Sequence, residues 1–350
     1  MGDDTLVPGR VISGRFRLQH MLGRGGMGSV WEAYHLALET EIAIKFLDPQ
    51  LSSRTDIRSR FAQEATAAAR IKSPHVVGIL DYGFTEDDRG FIAMELLKGE
   101  DLAQRIDRLG GLTPPEAAEI VSQACRGLTK AHQIGIVHRD LKPENLFVVE
   151  DDDGVLVKIL DFGIAKAVGL SSGSAHKTDT GQILGTPLYM SPEQALGRSI
   201  DSRSDLYSLT VVAYRALAGR PPFVCDAVGE LIVAVSTLLA PPPSTFNPTL
   251  PASLDAWFAG MLSKDPNARS CQTARELAES FEAACRSSPT SAARASSSNP
   301  RVLANAYTPT VPETPSEGVS SPAVHRTEAG VTAGVAPTTP VGEITDRTTL

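Results

Sequence analysis

The chain predicts an α+β protein in two sections, a small antiparallel β-sheet with one helix over residues 16–97 and a larger, mainly α-helical part over 98–285. Three observations carry this expectation. Short β-branched and aromatic runs, broken by turn residues, crowd the first hundred positions. Helical apolar spacing dominates after Asp101. At Arg286 the composition changes to a Ser/Thr/Pro-rich tail.

Residues 1–15 read as a short polar lead-in. Phe16–Leu22 and Ser29–His35 read as strands around a glycine turn, and 42–46 as a short apolar strand. Residues 59–72 are Ala-rich, with Phe61, Ala65, Ala68 and Ile71 at helical spacing. Val76–Tyr82 and Phe91–Leu97 read as two further strands. Residues 114–132 predict a long helix, with Thr113 as N-cap and Pro114 at its first position. Residues 147–149 and 155–159 flank Asp153-Gly154, a hairpin signal. The 286–350 tail has 20 Ser/Thr, 8 Pro and only 10 Leu, Ile, Val or Phe in 65 residues, too little apolar surface to offset the entropy of ordering, so disorder is expected.

Bulk properties exclude several classes. A net charge of −8 argues against a nucleic-acid partner. The 4 cysteines are far apart and lack C-x-x-C spacing, which suits reduced thiols in a cytoplasmic protein. No apolar run reaches the roughly 18 residues a membrane span needs, and the N-terminus carries acids rather than a signal-peptide core.

Residues 23–30 read Gly-Arg-Gly-Gly-Met-Gly-Ser-Val, a G-x-G-x-x-G-x-V loop whose amides can approach phosphate oxygens. Alone it also fits a dinucleotide fold or an ordinary turn. A dinucleotide loop opens directly into a helix, whereas Ser29–Tyr34 is strand-like, so a strand–loop–strand flap is expected. Lys45 ends an apolar strand, where a snorkelling surface lysine is the common outcome. Glu64 on the Ala-rich helix offers the partner that a half-buried ammonium needs. Residues 138–145 read His-Arg-Asp-Leu-Lys-Pro-Glu-Asn, and Asp161-Phe162-Gly163 follows.

This ordered set (glycine loop, Lys45, Glu64, the 138–145 loop, Asp161-Phe162-Gly163, Ser191-Pro192-Glu193) resembles the protein kinases, specifically bacterial Ser/Thr kinases of the eukaryotic type, over 16–285. The resemblance implies the bilobal protein kinase fold and transfer of the ATP γ-phosphate to Ser/Thr hydroxyls of proteins. It gives Asp140 the role of base, Lys142 contact with the γ-phosphate, and Lys45, fixed by Glu64, contact with the α/β-phosphates. Asn145 and Asp161 match the ligands of Mg²⁺, with Mn²⁺ as an alternative. Leu22, Gly23, Gly25, Gly26 and Gly28 match the flap over the phosphates; Val30, Ala43 and Phe147 match the adenine sandwich. Met94 matches the residue at the back of that pocket, while Glu95 and Leu97 would offer backbone groups to the adenine edge. Plain core packing would also account for Met94 and Phe147. His138 matches a packing residue beneath Phe162 rather than an acid–base group.

The resemblance further implies a switch. Arg139 and Lys166 match the cations that gather a phosphate placed on Thr178 or Thr180, whose spacing to Gly185-Thr186-Pro187 fits related bacterial kinases. Thr186 matches a threonine bonded to Asp140 and Lys142, Glu193 and Arg269 a buried ion pair, and Asp205 a helix acid bracing the catalytic loop. Ser191, Thr210 and Ser270 depart from the commoner family residues without touching the chemistry. The tail's Thr308-Pro309, Thr314-Pro315 and Thr339-Pro340 are either solvated linker or autophosphorylation sites for phosphothreonine-binding partners. Related kinases can pair through the small lobe, which would allow a homodimer to phosphorylate itself in trans. A pseudokinase scaffold would lack one of Lys45, Asp140, Asn145 or Asp161, and all four are present.

Overall fold

The computed structural model describes residues 6–25, 28–52, 55–151, 154–162 and 187–286. Gly26, Gly163, Lys166, Thr178, Thr180, Thr186 and the 287–350 tail lie outside the described residues.

The first section is a six-stranded antiparallel sheet in the order β1-β2-β3-β4-β6-β5. Its strands are β1 (Val11–Ile12), β2 (Phe16–Gly25), β3 (Gly28–His35), β4 (Thr40–Leu47), β5 (Ile79–Phe84) and β6 (Gly90–Glu95). Alternation along β3 sends Ser29, Trp31 and Ala33 inward. Trp31 and Ala33 join Phe16, Leu18, Ile42, Ile44, Phe46 and Phe91 in one apolar cluster. The N-terminal residues are not a bystander. Leu6 and Ile12 are buried in that cluster, and Val11 and Ile12 pair with Arg17 and Phe16. The expected polar lead-in is therefore corrected: two apolar side chains among its charges suffice to seat it.

A short helix, α1 (Pro49–Ser52), precedes α2 (Thr55–Ala68), which packs Phe61 and Ala65 against Leu47 and Ile92. The helix lies four residues earlier than the spacing predicts. Its end tightens into i→i−3 bonds (Arg70 to Ala67 and Ile71 to Ala68, both 3.0 Å), and Pro74 disfavours helical geometry just ahead of it. Val76 joins no strand of this sheet. It forms a parallel bridge with Ile159 of the second section.

The second section holds a three-stranded antiparallel sheet of β7 (Gly99–Asp101), β8 (Leu146–Asp151) and β9 (Gly154–Ile159). The described helices are α3 (Leu102–Leu109), α4 (Pro114–Gln133), α5 (Pro192–Ala195), α6 (Ser202–Ala218), α7 (Val228–Thr237), α8 (Ala252–Met261) and α9 (Ala274–Arg286). α4 begins as predicted, with Thr113 and Glu116 forming a capping box. α6 is buried on every side from Ser204 to Tyr214, so it shows no amphipathic stripe. Gln123 of α4 pins β9: Val157 N donates to its Oε1 at 2.8 Å, and its Nε2 donates to Val155 O at 2.7 Å.

The two sections are joined by main-chain bonds. Val77 N donates to Ile159 O and Ile159 N to His75 O, each at 3.0 Å, while the buried His75 places Nδ1 3.1 Å from Val157 O. Gly127 of α4 permits this approach, since a Cβ there would stand 2.8 Å from His75 O.

Candidate active site

The site lies where β2–β4, the end of β6, the 138–145 loop and the chain after β9 converge. The glycine turn closes the β2–β3 hairpin, with Gly23 opposite Val30 and Gly25 opposite Gly28. Its glycines serve different ends. Gly28 has φ 142°, and a Cβ there would lie 1.8 Å from Phe46 O, so the fold itself requires glycine. A Cβ at Gly23 or Gly25 would meet nothing within 4 Å, which leaves exposed backbone open to a ligand. Leu22 is exposed beside them.

Lys45 on β4 faces the cleft. Its Nζ lies 2.6 Å from Asp161 Oδ2. The expected Lys45–Glu64 pair is corrected: Glu64, half-buried on α2, is not among the groups bonded to the Lys45 ammonium. The chain after β9 delivers Asp161 to the ammonium in its place. Asp161 holds φ 58°, unusual for a non-glycine residue. Burial alone would raise its carboxyl, but the charge and hydrogen bond of Lys45, helped by His138 and Lys142, hold it below the usual carboxylate range.

The 138–145 loop is fixed from beneath. Asp205, buried on α6, accepts the backbone N–H of His138 on Oδ2 and of Arg139 on Oδ1, both at 2.8 Å. His132 of α4 adds Nε2 at 2.8 Å. His138 stacks edge-on against Phe162 at 4.7 Å. Its Nε2 lies 2.7 Å from Leu160 O, which can only accept, and Asp140 N donates to its Nδ1 at 3.3 Å. Both ring nitrogens are thereby occupied, as befits a packing residue.

Asn145 sits in a 3-10 turn, Pro143–Asn145, and donates Nδ2 to Asp140 O at 2.7 Å. Leu160 N donates to Asn145 O at 2.9 Å, which ties this turn to the residue before Asp161. No donor among the described residues reaches Asn145 Oδ1. Lys142 Nζ stands 3.1 Å from Asp140 Oδ2. Asp140, Lys142, Asn145, Asp161 and Lys45 thus share one cleft.

Of the expected walls, Val30, Met94 and Phe147 are half-buried and Ala43 is buried. Glu95 N donates to Gly78 O at 3.0 Å, which limits what Glu95 can offer to its carbonyl. Its side chain accepts from Lys158 Nζ at 2.8 Å and from Gly78 N at 2.7 Å. Behind Met94 a small apolar cavity reaches Ala65, Val77 and Phe162.

The supporting pair is also in place. Arg269 donates Nη2 to Glu193 Oε2 at 2.6 Å and Nη1 to Oε1 at 3.0 Å, with both side chains buried. Ser204 adds a bond to Glu193 at 2.6 Å. Burial pushes the Glu193 carboxyl up, but Arg269 and Ser204 outweigh it and hold it low. Ser191 acquires a use as N-cap of α5, Thr210 bonds back to Leu206 O at 2.8 Å, and Ser270 fits against Gly260. Sequence reasoning missed His132, Ser204 and Lys158. Their only signal is a polar side chain in a buried stretch, which a sequence does not reveal by itself.

Residues 16–280 match the family described as protein kinase domain. The chain belongs to the protein kinase family. It is 38% identical over 278 residues to serine/threonine-protein kinase pkn3 of Myxococcus xanthus, covering 79% of this chain and 50% of that one. It is 39% identical over 276 residues to PknA of Corynebacterium glutamicum, covering 77% and 55%. The crystal structure of the Mycobacterium tuberculosis PknI kinase domain superposes with a TM-score of 0.64 at 30% identity, covering 80% of this chain and 99% of that domain. The chain spans about half the length of the curated relatives it matches. Protein kinases use ATP and a divalent metal, and no helix among the described residues is long and apolar enough to cross a membrane.

Proposed function

We propose that this kinase transfers the γ-phosphate of ATP to Ser/Thr hydroxyls of proteins. The observation that carries the reading is the bonded set of Asp140, Lys142, Asn145, Asp161 and Lys45. Asp140 is the group that orients a substrate hydroxyl and takes up its proton, with its main chain held by Asn145 and its Oδ2 beside the Lys142 ammonium. Lys142 and Lys45 supply positive charge where phosphate oxygens gather, so positioning and electrostatics dominate the chemistry. Val30, Ala43, Met94 and Phe147 bound the base pocket; the Glu95 carbonyl and the Leu97 backbone face its edge.

Asn145 Oδ1 and the low-titrating Asp161 carboxylate are hard oxygen donors that fit Mg²⁺, and Mn²⁺ as its substitute. The metal, when bound, neutralises charge on the phosphate oxygens. The Lys45–Asp161 pair joins the two halves of this set, and Glu64 remains the second carboxylate on α2 for that ammonium.

Arg139 has no carboxylate partner among the described residues, which leaves its guanidinium for a phosphate on Thr178 or Thr180, with Lys166 as second cation. Autophosphorylation in trans within a homodimer, phosphothreonine-binding partners for the 286–350 tail and a cytoplasmic location complete the reading. A pseudokinase is disfavoured because each chemical group is present. Incubation with labelled ATP and Mg²⁺ tests the reading: wild type transfers label to itself or to an acceptor protein, and Asp140→Asn does not. Equal labelling of the two would sink it.

A further inference from the structure

Gln194 lies buried on α5 and has no role above. Both ends of its amide are engaged. Oε1 accepts from Ser191 N at 3.0 Å and Ser191 Oγ at 2.9 Å, and Nε2 donates to Arg139 O at 2.6 Å. Only one orientation of the amide fits, because an N–H meets one end and a carbonyl the other.

The carbonyl that Gln194 holds belongs to the peptide joining Arg139 to Asp140. Arg139 has φ 70°, a left-handed conformation that costs a non-glycine residue free energy and persists only under restraint. Asp205 holds its N–H at 2.8 Å, and His138 Nδ1 accepts from Asp140 N at 3.3 Å. The 2.6 Å bond from Gln194 is the restraint on the remaining side of that peptide. Rotation of the peptide would swing the Asp140 side chain.

We propose that Gln194 is a positioning residue for phosphoryl transfer: through the Arg139 carbonyl it sets the orientation of Asp140 and carries the placement of α5 to the reacting group. The inference rests on the reading of Asp140 as the group that orients the hydroxyl.

Gln194→Glu tests it with nearly the same shape. As a carboxylate, the new side chain has no proton to give Arg139 O and opposes it; protonated, it donates as the amide does. The titratable groups around this point are Arg139 and Asp140 of the loop, Asp205 with His132, Glu193 with Arg269, and Glu230 on α7, which packs against α5. All are common to both proteins and cancel in a ratio. The kcat of Gln194→Glu for an acceptor protein should fall about tenfold at pH 8, and its ratio to wild type should climb as pH falls towards about 6. KM for ATP should stay put. Gln194→Met, with no donor at any pH, leaves Ser191 N, Ser191 Oγ and Arg139 O without their partner and should melt lower; assayed below its own transition it should show a similar loss with a flat ratio. A flat ratio for Gln194→Glu, wild-type kcat in Gln194→Met, or kcat and KM for ATP changing together would overturn the inference. Equal transfer by wild type and Asp140→Asn would overturn the catalytic reading, and this inference with it.

Discussion

Lys45 and Asp161 stand 116 positions apart in sequence and 2.6 Å apart in the fold. The pair makes each partner tolerable in the cleft. Removing the ammonium leaves a buried carboxylate with less to offset its desolvation. In Lys45→Met the Asp161 carboxyl should therefore titrate above its wild-type position, since burial pushes it upward once Lys45 is gone. The kcat should drop by roughly 10²–10³-fold, as for other lost charge-stabilising donors. NMR titration of the carboxyl and steady-state kinetics check both parts.

Glu193 and Arg269 make a second prediction. Deleting one partner of a buried pair costs about 3–5 kcal/mol, so Arg269→Ala should lower the melting temperature and the folding yield, not only activity. The pH dependence has a definite sign. The Glu193 carboxyl is held low in the fold, so its contribution is full above about pH 4.3 and is lost as pH falls through the folded value. In Arg269→Ala burial raises that carboxyl, and the slope contributed by Glu193 should reverse. Denaturant melts between pH 3 and 7 would show it.

Asp205 supplies the third. Two buried backbone N–H groups, of His138 and Arg139, end on its carboxylate. Asp205→Ala should strand them at roughly 1–3 kcal/mol each. Activity should fall more than ATP affinity, because the damage lies under Asp140 and away from Lys45. Calorimetry with an ATP-binding isotherm separates the two.

The glycine turn gives a contrast within one motif. Gly28→Ala should destabilise the fold, since its Cβ would collide with Phe46 O. Gly23→Ala and Gly25→Ala should leave the melting temperature unchanged and raise KM for ATP, because they intrude only on open space. Melting curves beside kinetics decide it.

Lys264 presents a different case. Its Nζ is buried without a hydrogen-bond partner among the described residues, over the Phe223 ring at 4.5 Å, and burial together with Arg269 pushes it down to about 8. Between that value and the ordinary lysine range the unfolded chain binds the extra proton, so stability should rise with pH there. Lys264→Met should stabilise the protein at pH 7, and its advantage should shrink above about pH 10. Urea melts at the two pH values test this.

The sequence spoke most clearly where backbone chemistry is local. Thr113 with Pro114, the β8–β9 hairpin that pairs Asp151 with Gly154, and the order of the motif residues all read directly, because caps, turns and fixed spacings leave short-range marks. The N-terminal residues carry no such mark, because Leu6 and Ile12 are too sparse to announce a buried face. The spacing places α2 too late because Ile71 continues it after the helix has tightened. α6 gave no periodic signal because it is apolar or buried on all sides. The Lys45 partner was out of reach for another reason: Glu64 and Asp161 are both acids at plausible spacing, and only the fold decides between them.

The bonds between residues 75–77 and β9 bear on how the cleft opens. A main-chain stitch at the rear of the groove acts as a pivot, so the flap should swing widely while the stitched strands scarcely shift. Amide exchange at Val77 and Ile159 should then be slow and correlated, like that of a single sheet, although one belongs to each half of the molecule. Breathing of the groove would leave that pair closed, and only global unfolding would release it.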